Sequence, residues 1–196
     1  MKIAILGWGS LLWEENREFD ARHEPWKYDG PRLKIEFSRV STSRQGSLTL
    51  VIDEEHGSPT AVAWCFSKRQ SLEDAICDLR CREGTTVKNI GCVIVSDRPD
   101  PPAAQESIQA ITDWAREKAR ETKLDAVIWT ALKSNFKCET KTPFSVGNAV
   151  AYVKTLDPCA KAKAAEYVWR AKEFVWTPVR TALQQEPWFS EVKPPA

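Results

Sequence analysis

Residues 60–83 read TAVAWCFSKRQSLEDAICDLRCRE, and the hydrophobic period changes partway along them. Thr60–Phe66 is a β-rich run. From Lys68 to Arg82 the apolar residues Leu72, Ile76 and Leu79 recur at helical spacing, and Ser71 with Asp74 offers an approximate capping box. A strand running directly into a helix calls for a fold with both elements, and the flanking sequence sets their arrangement.

Upstream the period is that of strands. Lys2–Leu6 is a short apolar strand ending at Gly7, and residues 13–31 are polar and punctuated, a long loop with room for one helical turn. Arg32–Val40 alternates, with Leu33, Ile35 and Phe37 on one face, and SLTLVID places Leu48, Leu50 and Ile52 on one side of the next strand. Downstream, TVKNIGCVIVS returns to strand, and Pro101 or Pro102 opens a helix over about 103–123. That helix buries Ile108, Ile111, Trp114 and Ala115 beneath a solvated charged face. DAVIWTA is one more strand. From Thr142 the chain is helical, in three segments each with a proline near its start. Strands that do not alternate regularly with helices argue against a doubly wound parallel sheet. The class is α+β with a largely antiparallel or mixed sheet and a helical C-terminal tail.

Composition narrows the function classes. Lys plus Arg number 28 against 27 for Asp plus Glu, so a net charge of +1 supplies no electrostatic reason to bind nucleic acid or an acidic membrane. No run of eighteen apolar residues is present, and the N-terminal apolar stretch is too short for a signal peptide, which points to the cytoplasm. The six cysteines form no CxxC pair and read as free, mostly buried thiols. Cys77 and Cys81 stand one helical turn apart, but His23 and His56 lie at no ligand spacing from them, so no metal site is expected. Nine tryptophans with no basic stripe beside them fill core and pocket walls rather than stack on bases.

The chemistry-bearing stretch is AILGWGSLLWEE, residues 4–15, where a strand runs into Gly7-Trp8-Gly9-Ser10. Leu12 stands where a dinucleotide fingerprint needs its third glycine, and no G-K-[ST] follows to make a phosphate loop. Two readings stay open. One is a plain tight turn. The other is an anion nest in which freed backbone amides and the Ser10 hydroxyl meet a carboxylate or a developing oxyanion. Ser10 is no hydrolase nucleophile, because no nucleophile elbow surrounds it and histidine partners are scarce.

ILGWGSLLWE resembles the N-terminal signature of the gamma-glutamylcyclotransferase-like superfamily, in which an apolar strand enters Tyr-Gly-Ser-Leu or Tyr-Gly-Ser-Asn, with Trp8 here in the tyrosine position. Three further segments follow in the family's order. RVSTSRQGSLTLVID is similar to the serine-threonine turn and strand of the glutathione-degrading branch, TAVAWCFS to its next strand, and AICDLRCREG to the helix end that carries its catalytic glutamate. The resemblance covers about the first two-thirds of the chain. It implies a small barrel or mixed sheet with flanking helices over 1–141, and 142–196 as a helical extension packed on it. Gly84-Thr85-Thr86 and the shorter turn at 41–46 depart from the family pattern.

The resemblance also implies an activity, cyclisation of a γ-glutamyl group to 5-oxoproline with release of an amine, amino acid or dipeptide, and with no cofactor. Glu83 is the implied general acid/base, and Gly7, Trp8, Gly9, Ser10 and Leu11 form the implied substrate loop. Arg44 is a candidate to hold a substrate carboxylate bidentately, its bland alternative being a surface turn arginine. Glu83 sits in the last turn of its helix, where the macrodipole disfavours negative charge while Arg80 and Arg82 favour it. Read from the residues alone, Glu83 is a solvated helix end. Glu14 and Glu15 begin a solvated loop, and Asp78 faces solvent or pairs with Arg82. The rival function is a non-catalytic module that binds a small carboxylate, or a protein partner through the helical tail.

Overall fold

The computed structural model describes residues 1–96, 105–171, 173 and 175–192. The elements run β1 (Ile3–Gly7), α1 (Arg17–Asp20), β2 (Arg32–Ser41), β3 (Ser47–Ile52), β4 (Ser58–Ala61), β5 (Ala63–Phe66), α2 (Leu72–Arg82), β6 (Ile90–Ile94), α3 (Glu106–Thr122), β7 (Ala126–Thr130), α4 (Phe136–Thr140), α5 (Val146–Thr155), α6 (Pro158–Arg170), α7 (Pro178–Gln184) and α8 (Pro187–Glu191). The class is α+β. Among the described residues the strands form two sheets and no closed barrel, the first mixed, in the order β5-β1-β7-β6, the second β3-β2-β4. The prolines expected to open α3 lie outside the described residues.

The chain folds as two compact units. The first comprises Met1–Leu33 and Ala61–Leu132, the second Lys34–Thr60 and Lys133–Ala196.

In the first unit β1 runs antiparallel to β5 (Ala4 opposite Phe66) and parallel to β7 (Ile3 opposite Ala126), while β6 closes the far edge antiparallel to β7. Every residue of β1 is buried. An unbroken apolar run such as Ile3–Leu6 suits a central strand covered on both faces. Ile3, Ile5, Ala126 and Ile128 form a core with Ala75 and Leu79 of α2; of the face read from the sequence Leu79 is buried, while Leu72 and Ile76 pack against that core half-buried. Ser71 caps α2 by accepting from the Asp74 amide at 3.3 Å. At the β6–β7 pair Gly91 stands opposite Trp129, whose indole occupies the space a Cβ would need, with ring atoms from 2.2 Å. The Trp114 ring is half-buried, edge-on to Trp64 at 5.3 Å.

The run Thr60–Phe66, read as a single strand, is two strands in different sheets. It breaks at Val62, whose amide donates to the Pro31 carbonyl and whose own carbonyl accepts from Gly30, both at 3.1 Å. Gly30 is required there, since a Cβ would meet the Val62 oxygen at 2.4 Å.

In the second unit β2 and β3 pair antiparallel, with an irregularity between Phe37 and Arg39. The segment after β7 fills it: the Asn135 side chain accepts from the Val40 amide at 2.8 Å and donates to its carbonyl at 3.1 Å, and Ser134 donates to the Ser38 carbonyl at 2.7 Å. α6 packs on β3, and Phe37 meets Tyr167 edge to face at 6.1 Å. Three of the unit's helices carry side-chain caps, from Ser145 on α5, Asp157 on α6 and Thr177 on α7, and the last two have proline in the first turn.

Candidate active site

Gly7 and Gly9 serve different ends. Gly7 closes β1 with no left-handed backbone, and its lack of a side chain makes room for the indole of Trp26, whose Cη2 and Cζ3 would lie 2.6 and 2.7 Å from a Cβ. Gly9 has φ +57° and turns the chain into one 3-10 turn, Gly9–Leu12. Trp8, itself buried, precedes that turn without capping it through its side chain. The Ser10 carbonyl accepts from the Trp13 and Glu14 amides at 3.3 and 2.9 Å. It accepts a third bond from Nη2 of Arg82 at 3.2 Å, and the same nitrogen reaches the Glu14 carbonyl at 3.0 Å.

Arg82 therefore ties the turn to the end of α2. Its side chain is only 9% exposed, and the Glu14 carboxylate stands 3.6 Å away. The next residue, Glu83, is half-buried and is the C-cap of α2. Gly84 follows at φ +58°, donating to Cys81 O at 3.2 Å while Thr85 donates to Arg80 O at 3.1 Å. These two bonds make a Schellman ending that fixes the direction in which the chain leaves the helix. Open space surrounds Gly84, where a Cβ would meet nothing within 4 Å.

Of the residues singled out in the sequence, Gly7, Trp8, Gly9, Ser10 and Leu11 form the strand exit and turn, and Glu83 directly follows the arginine that grips it. Arg44 belongs to the second unit, where its guanidinium lies over the Tyr167 ring at 5.1 Å. Asp78 does not face solvent or pair with Arg82. It is 7% exposed and accepts from Arg22 at 2.6 Å and from Arg69 at 2.7 Å. Arg82 was not read as a site residue, and its role as clasp has no signature in a run of alternating charges.

Two other expectations are corrected. The cysteines are free but mostly not buried: Cys65 is interior, where burial pushes its thiol well above the usual range, and Cys77, Cys81, Cys92, Cys138 and Cys159 are exposed. In β2 the alternation read from Leu33, Ile35 and Phe37 hides a strand buried on both faces, with Glu36 and Ser38 both fully buried. Glu36 Oε1 accepts from the Phe37 amide at 2.7 Å and Oε2 from the Val179 amide at 3.3 Å. Burial lifts its carboxyl to about 7, and the Asp53 charge adds to the rise while hydrogen bonds from Thr177, Phe37 and Val179 oppose it. In the sequence Glu36 occupies a polar position of the alternating run RLKIEFSRV, so nothing local marks it as buried.

Among the described residues no group of three or more His, Cys, Asp or Glu is arranged to hold a metal ion, and no helix is long and apolar enough to cross a membrane. Comparison of the chain with family models, with curated proteins and with solved structures gave no match.

Proposed function

We propose that the chain is a gamma-glutamylcyclotransferase-like enzyme of the cytoplasm, needing no cofactor, that converts a γ-glutamyl amine or peptide to 5-oxoproline and the free amine. The observation carrying this reading is the bond from Arg82 to the Ser10 carbonyl, which holds the helix end bearing Glu83 against the Gly9–Leu12 turn. The chemistry needs a carboxyl group and an oxyanion site side by side, and little else, because the nucleophile is already tethered to its electrophile.

In this reaction the Glu83 carboxylate takes a proton from the substrate's α-ammonium. The freed amine attacks the γ-carbonyl carbon, and the new C–N bond closes a five-membered ring. The carbonyl oxygen becomes an oxyanion facing the turn amides. When the carbonyl re-forms, the original amide C–N bond breaks, the leaving nitrogen takes the proton back from Glu83, and the ring nitrogen gives up its second proton to solvent, leaving the neutral lactam and the free amine. No water enters the balance. Arg82 is a positioning residue, its guanidinium already committed to backbone carbonyls.

The test is a panel of γ-glutamyl amines and peptides incubated with purified protein. Release of 5-oxoproline with equimolar amine is expected. Release of glutamate would identify a hydrolase instead, and binding of 5-oxoproline without turnover would identify a carboxylate-binding module.

A further inference from the structure

On α2, in the two turns before Glu83, Cys77 and Cys81 stand four residues apart with Arg80 between them. Both thiols are free and exposed. Arg80 Nη2 lies 3.7 Å from the Cys77 sulfur and 3.3 Å from the Cys81 sulfur. One nitrogen in reach of both places the sulfurs within about 7 Å of each other, as expected for i, i+4 residues whose Cβ atoms are about 5–6 Å apart.

That separation selects the chemistry. A disulfide needs Cβ atoms about 3.5–4.5 Å apart, so the helix keeps the pair as two thiols. Metal–thiolate bonds of about 2.3 Å put the sulfurs of a linear, two-coordinate centre about 4.6 Å apart, which side-chain rotation from Cβ atoms at this spacing can supply. Zinc wants four ligands, and among the described residues no third Cys, His, Asp or Glu completes a larger set. A soft monovalent ion satisfied by two thiolates does fit. Two thiolates with one monovalent cation carry a net negative charge, and the Arg80 guanidinium is placed to offset it through N–H···S contacts.

We infer that Cys77, Arg80 and Cys81 form a two-coordinate binding site for a soft monovalent metal ion, copper(I), on the outer face of α2. On binding, each thiol gives up its proton to solvent, two S–Cu bonds form, and no electron is transferred.

The experiment is an anaerobic titration of the whole chain with copper(I) against a chromophoric copper(I) chelator near neutral pH. One tight equivalent is expected. Cys77→Ser and Cys81→Ser should each weaken it at least about a hundredfold, the gain that two linked ligands hold over one. Arg80→Gln should weaken it about two- to fivefold, as for an exposed charge pair, and Cys138→Ser and Cys159→Ser should leave it unchanged. In the unaltered protein, copper(I) should protect Cys77 and Cys81, but not Cys138 or Cys159, from alkylation. Copper left with the chelator, wild-type affinity in either cysteine variant or in Arg80→Gln, or alkylation of Cys77 and Cys81 undiminished by copper would overturn the assignment.

Discussion

Replacing Glu36 with glutamine should abolish a large share of the pH dependence of the protein's stability. Glu36 is fully buried in β2, and burial raises its carboxyl from 4.5 to about 7. Between those values the native state holds a proton that the unfolded chain has released, so folding is favoured by protonation. The advantage is complete below about pH 4.5 and is lost as the pH rises through 7. At 1.36 kcal/mol per pH unit, the difference amounts to about 3 kcal/mol, an order-of-magnitude figure. Glutamine presents one acceptor and one donor, much as the protonated acid does, and it has nothing to ionise. Urea unfolding followed by tryptophan fluorescence at pH values from about 5 to about 8 reads the effect directly. Wild-type stability should fall across that window by about 2–3 kcal/mol more than that of Glu36→Gln, the remainder being lost already below about pH 5, and the variant should be the more stable protein at the alkaline end. Parallel curves for the two proteins would show that Glu36 stays ionised in the native state, and the reasoning from burial would fail.

Native protein treated with a chromogenic disulfide should release five thiol equivalents, with the sixth, Cys65, appearing only on denaturation. Gly91→Ala drives a methyl group into the Trp129 ring, which is 3% exposed and has little room to yield. It should cost about 1–3 kcal/mol, and a smaller residue at 129 should recover part of the loss in a double-mutant cycle. Arg82→Met removes the clasp on the Ser10 and Glu14 carbonyls. A loss of about 1–3 kcal/mol is expected, read as a melting temperature lower by several degrees. An unchanged melting temperature would show that the turn holds without Arg82.

What could be read from the sequence, and what could not, follows the range of each interaction. The helix over 72–82 was legible because periodicity and cap are local signals, and both act within a few residues. The break at Val62 was hidden because it is set by Gly30 and Pro31, some thirty positions upstream. Gly7 was read as backbone freedom, for a plain tight turn or for an anion nest, whereas it makes room for Trp26, a partner with no sequence mark. Glu36 lay inside an alternating pattern whose second face was taken as solvated. That face is covered by a helix more than a hundred residues later, whose Val179 amide meets the carboxylate. Within the site the strand exit and the Glu83 helix end could be named, because both carry local signals. The arginine that joins them is a long-range contact of a common residue type, which no local pattern announces.

The central claim rests on Glu83 as the group that moves the proton. Parallel assays of 5-oxoproline formation by wild-type protein and Glu83→Gln, on whichever γ-glutamyl compound the panel identifies, test it most directly. The variant should fold with unchanged stability and lose at least about a hundredfold in turnover, the contribution of a general base. Turnover equal to wild type would remove Glu83 from the chemistry and leave the turn at Gly9–Leu12 without its acid.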